Sequence, residues 1–173
     1  GAGDYAMSSS VVATYGAEAM KDALLGIPTI SLVMNVKDIF GVTGIYSNPS
    51  AKGMVAEREV SMEWINPDGA PGTQAEAGIR IQGMTGRGMI KKSFRLIFRS
   101  MYGDSKLNYP VLADSPVDSF DHLVLRAGVN DSVFGDVSGA QYTRDRWAME
   151  TFRAMGNEAL YGTYVHLYIN GLY

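Results

Sequence analysis

The chain has 173 residues, enough for one domain with a sizeable core, and its 46% hydrophobic, 10% aromatic and 19% charged residues exclude wholesale disorder. Fifteen Lys and Arg against eighteen Asp and Glu leave a net charge of −3, which excludes a broad electrostatic footprint for nucleic acid or an anionic membrane, so any phosphate chemistry must be local. The absence of cysteine excludes a disulfide framework and a thiolate metal site, and no apolar run reaches the roughly eighteen residues that span a bilayer.

The opening to about Val12 is small and polar and reads as a linker. GAGDYAMSSS lacks the charged and apolar regions of a signal peptide and does not begin with Met, so the N-terminus is expected to be the cut edge of a longer precursor. From Gly16 to Leu25, Met20, Ala23 and Leu24 recur at helical spacing before Gly26, which predicts a short amphipathic helix. Residues 1–27 are therefore assigned to a linker and short helix, and 28–173 to the main unit. Thr29 to Met34 is a nearly continuous apolar run, the pattern of a strand covered on both faces. Val36 to Phe40 reads as one helical turn before Gly41.

From Glu57 the period becomes two. Val60, Met62 and Trp64 alternate with Ser61 and Glu63 up to the turn residues Asn66, Pro67, Asp68 and Gly69. Ala77, Ile79 and Ile81 alternate with Gly78, Arg80 and Gln82, and Phe94, Leu96 and Phe98 with Ser93, Arg95 and Arg99. Segments 77–82 and 91–99 thus read as two strands joined by a glycine-rich loop. Asp121 to Arg126 is a further strand. From Gln141 to Met155 a helix is expected, with one stripe of Trp147, Thr151, Ala154 and Met155, another of Arg146, Glu150 and Arg153, and Gly156 past its end. Tyr164 to Ile169 alternates as a strand, and Asn170-Gly171 predicts a two-residue hairpin turn with a returning strand. Only Leu172 and Tyr173 follow, so a truncation inside a sheet is expected at the C-terminus.

The loop Gly83-Met84-Thr85-Gly86-Arg87-Gly88 offers backbone N–H groups to phosphate oxygens, with Thr85 and Arg87 as added donors. Its GxxGxG spacing is neither the dinucleotide fingerprint nor a Walker A sequence, and an ordinary glycine-rich hairpin loop is the competing reading. Lys91 or Lys92 could reach a phosphate from the strand, or both could be solvated. Glu150 is either a surface partner of Arg153 or a helix carboxylate that orients a lysine of the sheet. His122 and His166 are too few and too far apart to suggest a metal site.

Several runs together resemble the spore-coat CotH kinase family, particularly its large secreted bacterial members: GIYSNP at 44–49, SMEWINPDG at 61–69, AGIRIQG at 77–83, KKSFRLIFRSMYG at 91–103, KLNYP at 106–110, SPVDSFDHLVLRAGVNDS at 115–132, YTRDRWAMETFRAMG at 142–156 and GTYVHLYINGLY at 162–173. They cover most of the chain from about residue 28, in order. The resemblance implies an α+β fold, the antiparallel β-rich N-lobe of an atypical protein-kinase-like fold with one main helix, truncated at the C-terminus. It implies ATP with Mg²⁺ or Mn²⁺ as cofactors, phosphorylation of secreted or coat-protein hydroxyls, a secreted or cell-surface location, and a partner lobe in the same chain.

By the same resemblance, the Gly83 to Gly88 loop, with Gly83, Thr85, Gly86 and Arg87, takes the place of the family's phosphate loop. Lys91 looks like the nucleotide-contacting strand lysine. The family's R-D/N pair falls on Arg144 and Asp145, and its acidic helix position on Glu150. Two departures stand out. The loop reads GMTGRG where the family usually shows a G-G-A-S-R or G-N-S-S type run, and the chain ends at Tyr173 where the family continues with W-G-x-Y and a second lobe. The catalytic and metal-binding aspartates are expected in that lobe, and no carboxylate of this chain is matched to them. The rival readings are a non-catalytic cell-surface adhesin or assembly module on the same scaffold, and a carbohydrate-associated β-domain suggested by the glycine and aromatic content.

Overall fold

The computed structural model describes residues 5–129, 131–132 and 139–173. The fold is mixed α+β, dominated by a curled six-stranded sheet. Its strands are β1 (Thr29–Val33), β2 (Arg58–Ile65), β3 (Thr73–Gln82), β4 (Ser93–Ile97), β7 (His122–Leu125) and β8 (His166–Ile169), while β5 (Leu107–Asn108) and β6 (Ser119–Phe120) form a separate two-stranded ribbon. The helices are α1 (Ser9–Tyr15), α2 (Ala17–Leu25), α3 (Val36–Phe40) and α4 (Arg144–Ala154).

The sheet runs β7-β4-β3-β2-β1-β8. Neighbours from β7 to β1 are antiparallel, whereas β1 and β8 are parallel, with Thr29 opposite His166 and Leu32 opposite Ile169. The expected antiparallel sheet holds for four of the five pairings, and the parallel β1–β8 pair departs from it. A turn does form at Asn170-Gly171, with φ of 51° and 80°, and it returns the chain so that Leu172 bridges back to Ile169. The segment read as a linker also contains α1.

The period-2 residues face one way. Ile30, Leu32, Val60, Met62, Trp64, Ala77, Ile79, Ile81, Phe94 and Leu96 are all buried in one cluster, covered by Ile39, Ile45, Leu107, Val111 and the half-buried Leu167 and Ile169. On β1 only this face is fully buried, since Thr29 and Ser31 are half-buried and Val33 is exposed. That corrects the reading of a strand covered on both sides: α3 and the 107–111 segment lie over one face alone.

The β2–β3 turn is held by Asn66, whose Oδ1 accepts from the Trp64 indole N–H at 2.8 Å and whose amide donates to the Pro71 carbonyl at 3.0 Å. Gly72 leads into the strand because the backbones cross too closely there for any side chain. A Cβ there would lie 1.8 Å from the Trp64 carbonyl oxygen. β3 accordingly starts at Thr73, four residues before its alternation is visible in the apolar residues.

Candidate functional site

The β3–β4 connection is a short 3₁₀ turn, Thr85–Gly88, entered through Gly83 at φ 109°. From Ala77 to Gly103 the chain carries six Lys and Arg and no Asp or Glu. The hairpin is thus a concentrated positive element in an acidic protein. This contrast is visible in the sequence, where charge, not motif spacing, is its signal.

Gly83, Thr85, Gly88 and Lys91 are exposed, while Gly86 and Arg87 are half-buried. The loop is braced from several sides. A Cβ at Gly86 would meet Val129 Cγ2 at 3.2 Å, and the Tyr46 hydroxyl donates to the Ile90 carbonyl. Arg87 reaches inward: Nε donates to Pro49 O, Nη1 to Ile81 O at 2.6 Å, and Nη2 to Ala51 O. Its guanidinium therefore clamps the loop to the 49–51 segment and does not stand at the loop's outer edge.

Strand alternation places Lys92 on the Phe94 face, and there it is buried, 8% exposed. Its Nζ donates to the carbonyls of Arg87 at 2.7 Å and Met89 at 2.9 Å and lies 4.5 Å from the centre of the Tyr46 ring. Burial, and then the nearby Arg87 charge, push its pKa down. Among the described residues neither Arg87 nor Lys92 has a carboxylate within ion-pair distance. Carbonyl dipoles satisfy their hydrogens without cancelling their charge, and buried cations are ordinarily paired.

Helix α4 is tied to the same end of the sheet. Asp131 accepts from the Gln141 N–H at 2.8 Å and the Arg144 N–H at 3.2 Å, so a carboxylate from the turn after β7 satisfies donors at the helix start. These backbone bonds, Gln141 first, hold its pKa below the ordinary value, with the Arg144 charge adding to them. Arg144 pairs with Asp131 at 3.5 Å, and Asp145 pairs with Arg126. Because Val129 in that turn packs on Gly86, the loop and the helix start share a support. Glu150 is elsewhere. It pairs with Arg146 one turn back and lines a cavity of about 200 Å³ with Leu112 to Asp114 and Tyr161 to Tyr164, whereas Arg87 lines a different one. The sequence-derived site is therefore split: Gly83, Thr85, Gly86, Arg87 and Lys91 share the hairpin, and Glu150 faces its own pocket.

A second polar cluster lies on the opposite face of the sheet. The Glu57 side chain is fully buried, 3.2 Å from Arg99 Nε and 3.8 Å from Arg80 Nη1, and accepts from the Tyr102 hydroxyl at 3.1 Å. Burial, the Glu57 charge and this bond raise the Tyr102 pKa. Arg80 sits directly opposite Arg95 across β3 and β4, an unfavourable like-charge pair that the Glu57 carboxylate relieves. Gly78 permits the arrangement, because a Cβ there would come within 2.6 Å of Glu57 Oε1 and 2.7 Å of Tyr102 Cε2. A glycine inside a strand pattern is the sequence signal for such a close approach.

Among the described residues, no three His, Asp or Glu side chains gather to hold a metal ion, and no helix is long and apolar enough to cross a membrane. No family model, curated protein or solved structure matches the chain significantly.

Proposed function

We propose that this chain is the nucleotide-binding portion of a CotH-like protein kinase, an atypical kinase N-lobe that holds ATP phosphates for transfer to hydroxyls of secreted or coat proteins at the cell surface. One observation carries the reading: the only acid-free stretch of such length, 77–103, is built around the antiparallel β3–β4 hairpin, whose turn end exposes Gly83, Thr85 and Lys91. Backbone N–H groups of a glycine-rich turn set among Arg87, Lys91 and Lys92 suit phosphate oxygens. The hairpin's residues fit ATP phosphates in this sense. The described residues offer no gathered acidic set for Mg²⁺ or Mn²⁺, so no step is assigned through a metal.

In this reading Lys91 contacts phosphate from the strand start, Thr85 donates its hydroxyl, and Arg87 and Lys92 fix the loop from beneath while contributing long-range attraction. Titrating the chain with a fluorescent ATP analogue tests it. Lys91→Ala is expected to weaken binding about tenfold, the size of one charge-assisted hydrogen bond, and Lys92→Met is expected to lower thermal stability more than affinity. Equal or reversed affinity losses would reject the assignment, and no saturable binding by the wild-type chain would reject ATP.

A second reading, a non-catalytic assembly module on the same scaffold, draws on the outward apolar face of α4, where Trp147 is 69% and Met155 72% exposed. It expects self-association or partner capture that Trp147→Ser abolishes, together with no response to the nucleotide analogue.

A further inference from the structure

We infer that the cavity behind the glycine-rich loop binds a compact oxyanion held between Arg58 and Arg87. The cavity, about 200 Å³, has a floor of buried Ile45, Ala56 and Ile81, the two arginines in its walls, and Val42 and Val55 among its lining residues, both exposed. It is smaller than the roughly 300–1,000 Å³ that a drug-sized molecule occupies. A carboxylate or phosphate group fits; a whole nucleotide does not.

The donor count points to an anion. A guanidinium carries five N–H donors. Arg87 directs one from Nε to Pro49 O, two from Nη1 to Ile81 O and Gly83 O, and one from Nη2 to Ala51 O. Arg58 directs two from Nη1 to Val55 O and Glu57 O and one from Nη2 to Thr43 O, with Nε 3.7 Å from Asp38. Among the described residues no acceptor takes one Nη2 N–H of each arginine. All but one of their partners are neutral carbonyls, and among the described residues Asp38 is the single carboxylate within ion-pair distance of either, so one positive charge stays uncompensated even before Lys92 is counted. Two spare donors and net positive charge around a small cavity with an apolar floor are what a carboxylate or phosphate bearing a small apolar body would complete.

This site stands apart from the nucleotide reading, because Gly83, Thr85 and Lys91 do not line the cavity. Inorganic phosphate and isobutyrate, titrated separately at constant ionic strength and followed by ¹H–¹⁵N NMR with chloride as control, distinguish the two head groups. Saturable shifts confined to the Val42 to Ile45 amides and the Arg58 and Arg87 side chains are expected, with affinity of about 1–10 mM. Arg58→Gln removes one wall. Val42→Asp, at a residue 95% exposed, sets a carboxylate beside the site without disturbing the core, and keeps the test decisive if the arginine variant unfolds. Each is expected to weaken binding about tenfold, and Val42→Asp should leave the Lys91-dependent response to the ATP analogue in place. Saturation by either anion supports the site, and the tighter one identifies the head group. Identical shifts with chloride, or undiminished binding in Val42→Asp, would overturn it.

Discussion

The six-stranded sheet and helix α4 place their apolar residues in opposite ways. On the sheet, alternation sorts side chains cleanly: Leu32, Met62, Ile79 and Leu96 reach zero exposure, while Glu63, Gln74 and Glu59 stay on the other face or at its rim. On α4 the half-buried side chains are Arg146, Met149 and Arg153, while Glu150 of the charged stripe stays exposed. Arg146 packs against Gly162 and pairs with Glu150, and Arg153 lies 4.0 Å over the Tyr161 ring, while Trp147, Phe152 and Met155 look outward. Arginine can do this because its stem and planar head pack on apolar and aromatic surface while its charge finds a partner. The lesson is that an amphipathic pattern says a helix has two faces, and only its neighbours say which one is inside.

The largest effect that sharpens this contrast comes from core truncation. Leu32→Ala or Ile79→Ala is expected to cost about 2–5 kcal/mol, against less than about 0.5 kcal/mol for Trp147→Ala, read by chemical denaturation. A comparable loss at Trp147 would mean that the outer face of α4 is covered in solution, and the contrast between the two regions would fail.

Glycines probe the same difference at a smaller scale. Gly78→Ala drives a Cβ into Glu57 and Tyr102, which cannot both retreat, and should cost about 1–3 kcal/mol. Gly156, past the end of α4, has φ 86° and nothing near its would-be Cβ, so Gly156→Ala meets only backbone strain of about 1 kcal/mol. A reversed order of melting temperatures would show that the buried carboxylate cluster yields more easily than the helix end.

The smallest effect is a pH difference between the two anchors. Asp131, held below 3.8, contributes its support of α4 fully above that pH and loses it only as the pH falls through the lower folded value. Tyr102, raised above 10.0, supports the sheet cluster below that pH and loses it as the pH rises through the higher folded value. Amide exchange at Gln141 and Arg144 should therefore accelerate at the acid end while β3 stays protected, and Asp131→Asn should abolish that acid dependence. An unchanged acid profile in the variant would remove Asp131 from the account.

Much of the architecture was legible beforehand. The strands around Val60, Ala77 and Phe94, the glycine-rich connection between two of them, the α4 segment and the Asn170-Gly171 turn all follow from period, cap and turn chemistry that act within a few residues. Of the candidate site, the grouping of Gly83, Thr85, Gly86, Arg87 and Lys91 follows from their nearness in sequence. The inward role of Arg87 was not legible, because its acceptors come from residues 49–51 and 81–83. Nor was the separation of Glu150, which depends on how α4 meets Leu112 and Tyr161.

By itself the sequence determined where strands and turns lie, which face of each strand is apolar, and that positive charge concentrates on one hairpin, since these are set by side-chain period and local backbone preference. The tertiary structure alone decided that β8 joins β1 in parallel, with Asn170 bonded to Met34 136 residues away, that Glu57 pairs with both Arg80 and Arg99, and that among the described residues Arg87 and Lys92 have no carboxylate within ion-pair distance. Those outcomes are long-range. A charge's partner and a strand's neighbour depend on burial shared between distant segments, and no local pattern encodes which of several chemically equivalent partners will come within reach.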